Sequence, residues 1–187
     1  KKIFWISLAV KLVLAALLPL TGDEAYYWVW SQHMQLSYYD HPPFVAWLYW
    51  LGNPLQFLPG SVRWPGVLLG HATLWMWLKI LEPYLTLQQR QMWLLLALFS
   101  PLVGGSGIVV TPDLPLMFFY SLSLWLYFQW QKNPHWKMSL LFGLAMGLGV
   151  SSKYMMVLFA LSLLRVILMD KKLRGVFVQQ LPYLIAG

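Results

Sequence analysis

The 187-residue sequence contains no cysteine, and only 10% of its side chains are charged, 6 of them acidic. The first absence excludes a secreted scaffold stapled by disulfides. The second excludes a soluble globule, in which about 25% of residues are charged; so few charges could not cover its surface. No Gly-rich phosphate loop or nucleotide fingerprint occurs either. The chain is instead 59% hydrophobic and 17% aromatic, with 12 Trp and a mean hydropathy of +0.60. A disordered chain has the opposite composition. These numbers describe an integral membrane protein.

A transmembrane helix takes roughly 20 mostly apolar residues. The apolar runs predict spans at about 3–20, 61–81, 91–110, 114–130, 138–152 and 154–169, with another starting at about 176–187. The expected fold class is all-α: a multispanning transmembrane helix bundle with one long loop, 21–60. The first run follows Lys1-Lys2 as a signal peptide would, but no small-residue cleavage site comes after it. Ser151-Ser152-Lys153 interrupts an apolar stretch of about 32 residues, too long for one crossing at about 1.5 Å per residue. Two helices are therefore expected to meet at Lys153, and Gly143, Gly147 and Gly149 favour close helix contact just before the break.

Basic residues set the orientation. With Lys1 and Lys2 cytoplasmic, the loops 82–90, 131–137 and 170–174 are cytoplasmic too. They hold Arg90, Lys132, Lys137, Lys171, Lys172 and Arg174, and the outer side keeps Arg63 and Lys153. The net charge of +7 then reflects membrane orientation, and no nucleic-acid partner is implied. The acidic residues are more informative. Asp23, Glu24 and Asp40 lie in the outer loop 21–60, Asp113 at the turn before the fourth span, and Lys153 at a third outer connection. Ionisable groups beside hydrocarbon are costly, and they either pair or serve function. Three unrelated solvated loops are the plainer alternative.

Segment 21–60 is aromatic throughout, from Tyr26, Tyr27, Trp28 and Trp30 to Tyr38, Tyr39, Phe44, Trp47, Tyr49 and Trp50. Such side chains prefer the headgroup level, which predicts two short interfacial helices at about 24–35 and 43–51. Pro42-Pro43 suits the first turn of the second. Asp40 and His41 then stand at its N-terminus, where free N–H groups and the helix dipole favour an anion. A plain membrane anchor explains the aromatics but leaves Asp23-Glu24 and Asp40-His41 without a role.

Gly22-Asp23-Glu24-Ala25-Tyr26-Tyr27-Trp28, followed by Tyr38-Tyr39-Asp40-His41-Pro42-Pro43, resembles the first outer loop of the polyprenyl-phosphate-sugar-dependent GT-C glycosyltransferases. That superfamily includes the protein O-mannosyltransferases and the aminoarabinose transferase of lipid A. Thr111-Pro112-Asp113-Leu114-Pro115-Leu116 resembles its second acidic turn, and Gly149-Val150-Ser151-Ser152-Lys153-Tyr154 its lysine-bearing turn. The three blocks stand in family order. The resemblance implies a GT-C-like fold in a bacterial-type inner (plasma) membrane, with the active site on the outer face. It implies a polyprenyl-phosphate sugar donor and a lipid, glycan or protein acceptor, amid membrane lipids. It implies Asp23 as catalytic base with Glu24 beside it, Glu24 weighing toward a positional role. Asp40 and His41 would lie near the donor phosphate, Lys153 on the lipid phosphate, and Asp113 would hold its loop. His41 stands where some relatives have Lys, and Tyr26 where some have a basic residue. A divalent metal at Asp40 and His41 is left open, and no other cofactor is implied. Relatives are longer, so the chain is expected to be the N-terminal part of a longer enzyme.

The chemistry of these residue types supports the same reading. Glycosyl transfer needs a base for the acceptor's proton and cations on the departing phosphate. Asp23 can supply the first, Lys153 and His41 the second, and direct attack predicts inversion at the sugar. The competing class is a transporter or lipid flippase, in which half-helix ends line the substrate site. Against it, the charges gather at one face rather than at the midplane, and the two halves show no internal repeat. Lys11, His33, His71 and His135 have no partner visible in sequence.

Overall fold

Pro19 follows the end of the first apolar helix, α1 (Lys2–Leu17), and Thr21 starts the next, α2 (Gly22–Gln32), with an 83° bend between them. The bend turns the aromatic segment across the end of the bundle. The computed structural model describes residues 2–58, 60–105 and 108–187. After Pro42-Pro43 comes α3 (Phe44–Gly52), and two 3-10 turns (Asn53–Leu55 and Ser61–Arg63) lead into α4 (Trp64–Leu81). The helices α5 (Leu87–Phe99), α6 (Pro101–Gly105), α7 (Asp113–Lys132) and α8 (Trp136–Ser152) follow. A 3-10 turn (Tyr154–Met156), α9 (Val157–Met169) and α10 (Lys171–Ala186) complete the chain. Among the described residues there is no strand.

Two boundaries have clear physical causes. The stretch 91–110, predicted as one span, is divided at Ser100, whose backbone is extended (φ −69°, ψ 125°) before Pro101. A residue preceding proline is pushed out of the helical region, and proline has no N–H to continue the ladder. Lys153 is likewise extended (φ −162°, ψ 138°), so the chain turns sharply between α8 and the Tyr154–Met156 turn.

α7 packs along both α8 and α4, α8 also packs along α10, and α1 lies on α4. Close approach depends on small residues: a Cβ on Gly143 of α8 would collide with the Leu184 carbonyl of α10. One core, built from Tyr27, Trp30, Tyr49, Val62, Val110 and Leu114 among others, ties α2 and α3 to the starts of α4 and α7. A second, around Phe142, Met156 and Phe159, joins α7, α8 and α9. Outward-facing side chains are strongly apolar, including Trp5, Ile6, Val13 and Leu17 on α1 and Leu158, Leu161, Leu164 and Leu168 on α9. Exposed apolar surface of that extent fits lipid better than water. Among the described residues no single helix is long and apolar enough to cross a membrane, although α1 and α2 reach that measure as a bent pair.

Candidate active site

The site begins at the cap of α2. Thr21 Oγ1 accepts from the Glu24 N–H at 3.4 Å and Glu24 accepts from the Thr21 N–H at 3.0 Å, a reciprocal capping box. This fixes Asp23 and Glu24 in the first helical turn, where the dipole favours carboxylates. Their surroundings then diverge completely. Glu24 has no exposed surface and accepts from Arg63 Nε at 2.7 Å, Arg63 Nη2 at 2.5 Å, the Tyr49 hydroxyl at 3.1 Å and the Val110 N–H at 2.9 Å. Burial pushes its pKa up, but the Arg63 guanidinium and the Thr21 and Val110 N–H groups outweigh burial and hold the carboxyl below its usual range. Asp23, one residue earlier, is exposed, and its carboxylate accepts no hydrogen bond among the described residues.

Arg63 does more than neutralise Glu24. It donates through Nη1 to the Ala15 and Leu18 carbonyls at 3.0 and 2.9 Å, and through Nη2 to Pro19 at 2.7 Å. These are carbonyls that the end of α1 leaves without helical partners. One buried guanidinium therefore stitches the end of α1 to the start of α2. Tyr49 adds α3 and the approach to α7 by donating to Glu24 and the Val110 carbonyl; burial first, and then the Glu24 charge, raise its pKa.

The loop between α2 and α3 folds back onto α2. Tyr38 stacks on Trp30 with ring centroids 4.5 Å apart and planes 2° apart, and its hydroxyl reaches the Trp30 carbonyl at 3.0 Å. This carries Asp40 to the Tyr26 hydroxyl at 2.9 Å, a bond that raises the Tyr26 pKa. The His41 ring lies 6.0 Å from that of Tyr27 and 6.5 Å from that of Trp30. Asp113 opens α7, and its carboxylate accepts from Lys153 Nζ at 2.6 Å, joining the acidic and the lysine-bearing turns. This pair is open to solvent, with 28% of the Lys153 and 55% of the Asp113 side chain exposed.

Tyr27 ties the blocks together. Its pKa is raised first by burial and then by the charges of Asp23, Asp113 and Asp40 in turn, so one phenol feels the charge of all three acidic blocks. The six residues singled out from the sequence, Asp23, Glu24, Asp40, His41, Asp113 and Lys153, thus gather at one end of the molecule. Arg63 and Tyr49 were not singled out. The available signal was Arg63 itself, an arginine that follows the acids of segment 21–60 at the start of an apolar run. Among the described residues no three His, Asp or Glu side chains gather to hold a metal ion. Asp40 and His41 lack a third ligand there and do not fit a metal held by side chains alone.

Comparison with known proteins gives the chain's family. The chain is 30% identical over 137 residues to the lipid A galacturonosyltransferase RgtD of Rhizobium johnstonii (strain DSM 114642 / LMG 32736 / 3841). That alignment covers 71% of this chain and 28% of the relative. No solved structure matches the chain. Residues 40–187 match the family described as dolichyl-phosphate-mannose-protein mannosyltransferase, a stretch that includes the Asp40-His41, Asp113 and Lys153 blocks. With most of its length matched and its charged blocks gathered at one end, the chain belongs to the dolichyl-phosphate-mannose-protein mannosyltransferase family of membrane GT-C glycosyltransferases.

Proposed function

We propose that the protein moves a sugar from a polyprenyl-phosphate donor to an acceptor hydroxyl on the outer side of the membrane. Asp23 takes the acceptor's proton. The acceptor oxygen then bonds to the anomeric carbon as the bond from that carbon to the phosphate oxygen breaks. The bonding pair leaves on the phosphate, and the configuration inverts. Lys153 and His41 neutralise the charge that builds there, and the N-terminus of α3 adds its dipole. Glu24 holds the loop rather than exchanging protons, because Arg63, Tyr49, Val110 and Thr21 occupy its oxygens.

The observation that carries this reading is the contrast at Asp23: an exposed carboxylate that accepts no hydrogen bond among the described residues, next in the chain to the fully buried, ion-paired Glu24. A base must be free to meet its substrate. The carboxylates bonded to Tyr26 and Lys153 are less free. The test is transfer by the intact protein in vesicles with polyprenyl-phosphate donors carrying mannose or galacturonic acid, the sugars in the names of the matching family and relative. Transfer lost in Asp23→Asn with donor binding retained supports the reading. Transfer unchanged in that variant would remove Asp23 as the base.

A further inference from the structure

A second polar cluster lies at the other end of the bundle, away from Asp23. α4 starts beside Glu24 and runs for 18 residues, about 27 Å at the helical rise, before it reaches Leu81. There α1, α4 and α5 enclose a groove of about 480 Å³. Trp5, Trp75 and Leu78 form its apolar wall, and Trp5 and Trp75 are 64% and 48% exposed. Lys79, Glu82 and Arg90 form its polar corner.

The corner carries more positive charge and more donors than it uses internally. Glu82 accepts from Lys79 Nζ at 3.2 Å and from Arg90 Nη1 at 3.0 Å. Two cations thus share one carboxylate. A guanidinium has five N–H donors and an ammonium three, so most remain unused by Glu82. The Arg90 side chain is 23% exposed, so part of its guanidinium stays open to the groove, while its Nε is shielded from solvent with no hydrogen-bond partner among the described residues. A ligand that meets these unused donors and the exposed Trp5 and Trp75 together is anionic, rich in acceptors and partly apolar.

We propose that this groove binds the headgroup of an anionic phospholipid, with Arg90 and Lys79 on the phosphate and the acyl chains along Trp5, Trp75 and Leu78. The α5 N-terminus adds positive potential to the same corner. Under the basic-residue orientation this end faces the cytoplasmic leaflet, where anionic lipids attract Lys and Arg near the surface. A soluble phosphate would use the corner but leave the tryptophans bare. The inference rests on the membrane reading of the chain and not on Asp23 as the base.

The test is native mass spectrometry of the intact protein in non-ionic detergent, given equal amounts of phosphatidylglycerol and phosphatidylcholine with matched acyl chains. One phosphatidylglycerol should be retained in preference, and excess inorganic phosphate should not displace it. Arg90→Gln and Lys79→Gln should each weaken retention by about fivefold, the scale of one basic residue at an anionic surface. Glu82→Gln should strengthen it, because the competing carboxylate is gone; a gain of binding cannot come from misfolding. Asp23→Asn and Lys153→Ala should leave it unchanged, which separates this groove from the donor site. Equal retention of both lipids, displacement by phosphate alone, loss of retention in Lys153→Ala, or no retained lipid would each overturn the proposal. The last outcome would mean that another part of the protein covers the groove.

Discussion

Two ion pairs sit at the same end of this protein, and their surroundings could hardly differ more. Glu24 and Arg63 are side chains with 0% and 1% exposure, and Glu24 accepts from the cap of α2, from α3, from Arg63 at the start of α4 and from the Val110 N–H ahead of α7. Asp113 and Lys153 meet at the mouths of two helices, open to solvent. A buried pair cannot trade partners without stranding a charge in a low-dielectric interior. An open pair can, because water already competes for the lysine at little cost. The first pair therefore builds the platform, and under the proposed function the second holds a cation ready for an anionic ligand. Asp23 belongs to the first by sequence and to the second by exposure.

The sharpest way to break this contrast is to remove Arg63. Arg63→Ala leaves Glu24 as an uncompensated buried charge and strips donors from the end of α1, so stability should fall by about 3–5 kcal/mol. Chemical denaturation in detergent measures it, and a loss near that of a surface pair would show the two pairs to be alike. The pH dependence has a definite sign. The Glu24 carboxyl is held below its usual range when folded, so its contribution is fully present above the unfolded value of about 4.3. It is lost as pH falls through the lower folded value. Acid denaturation should therefore be shallower in Glu24→Gln than in the parent, even though that variant starts less stable.

Asp23→Asn tests the other half of the contrast, next in size. It keeps the shape at an exposed position, so stability should be nearly unchanged. Transfer should drop by roughly 10²-fold or more, the scale of losing a positioned base. Donor affinity, measured separately, should stay close to the parent. A parallel fall in stability would mean that Asp23 shares the structural duty of its neighbour.

Lys153→Ala should cost less than about 1 kcal/mol of stability, as open ion pairs do, while weakening both donor binding and rate. Both effects follow from removing one charge from the bound and the departing phosphate. Asp113→Asn, which frees Lys153 from its resting partner, should bind donor at least as tightly as the parent. Weaker binding in Asp113→Asn would assign the carboxylate to the ligand rather than to the lysine.

The all-helical class and the charged blocks could be read from the chain because both are local properties. Apolar runs and proline positions mark helices, and the order of Asp23, Asp40, Asp113 and Lys153 marks a family. What the sequence concealed is set by tertiary contacts. Glu24 and Asp23 are adjacent and both acidic, and only the arrival of Arg63, Tyr49 and Val110 from distant segments makes one structural and leaves the other free. The break at Ser100-Pro101 was missed because hydropathy continues across it, although the backbone cannot. The Lys79–Glu82–Arg90 corner straddles the boundary between the expected span 61–81 and the loop 82–90, and only tertiary packing brings its three side chains together.

The smallest effect is expected at His41, where the comparison becomes one of degree. Its half-buried ring lies 6.0 Å from that of Tyr27, with no ion pair of its own among the described residues. A lysine there would keep its charge across the range in which imidazoles gain and lose theirs, about pH 5–8. His41→Lys should therefore retain transfer within a few-fold of the parent, while its rate varies less with pH over that interval. The measurement is a pair of pH–rate profiles under saturating acceptor, with donor affinity followed at each pH. If His41 serves the phosphate by charge, the profile of the lysine variant should be the flatter of the two. Parallel profiles would mean that its charge plays no part, and that Lys153 alone carries the cationic role.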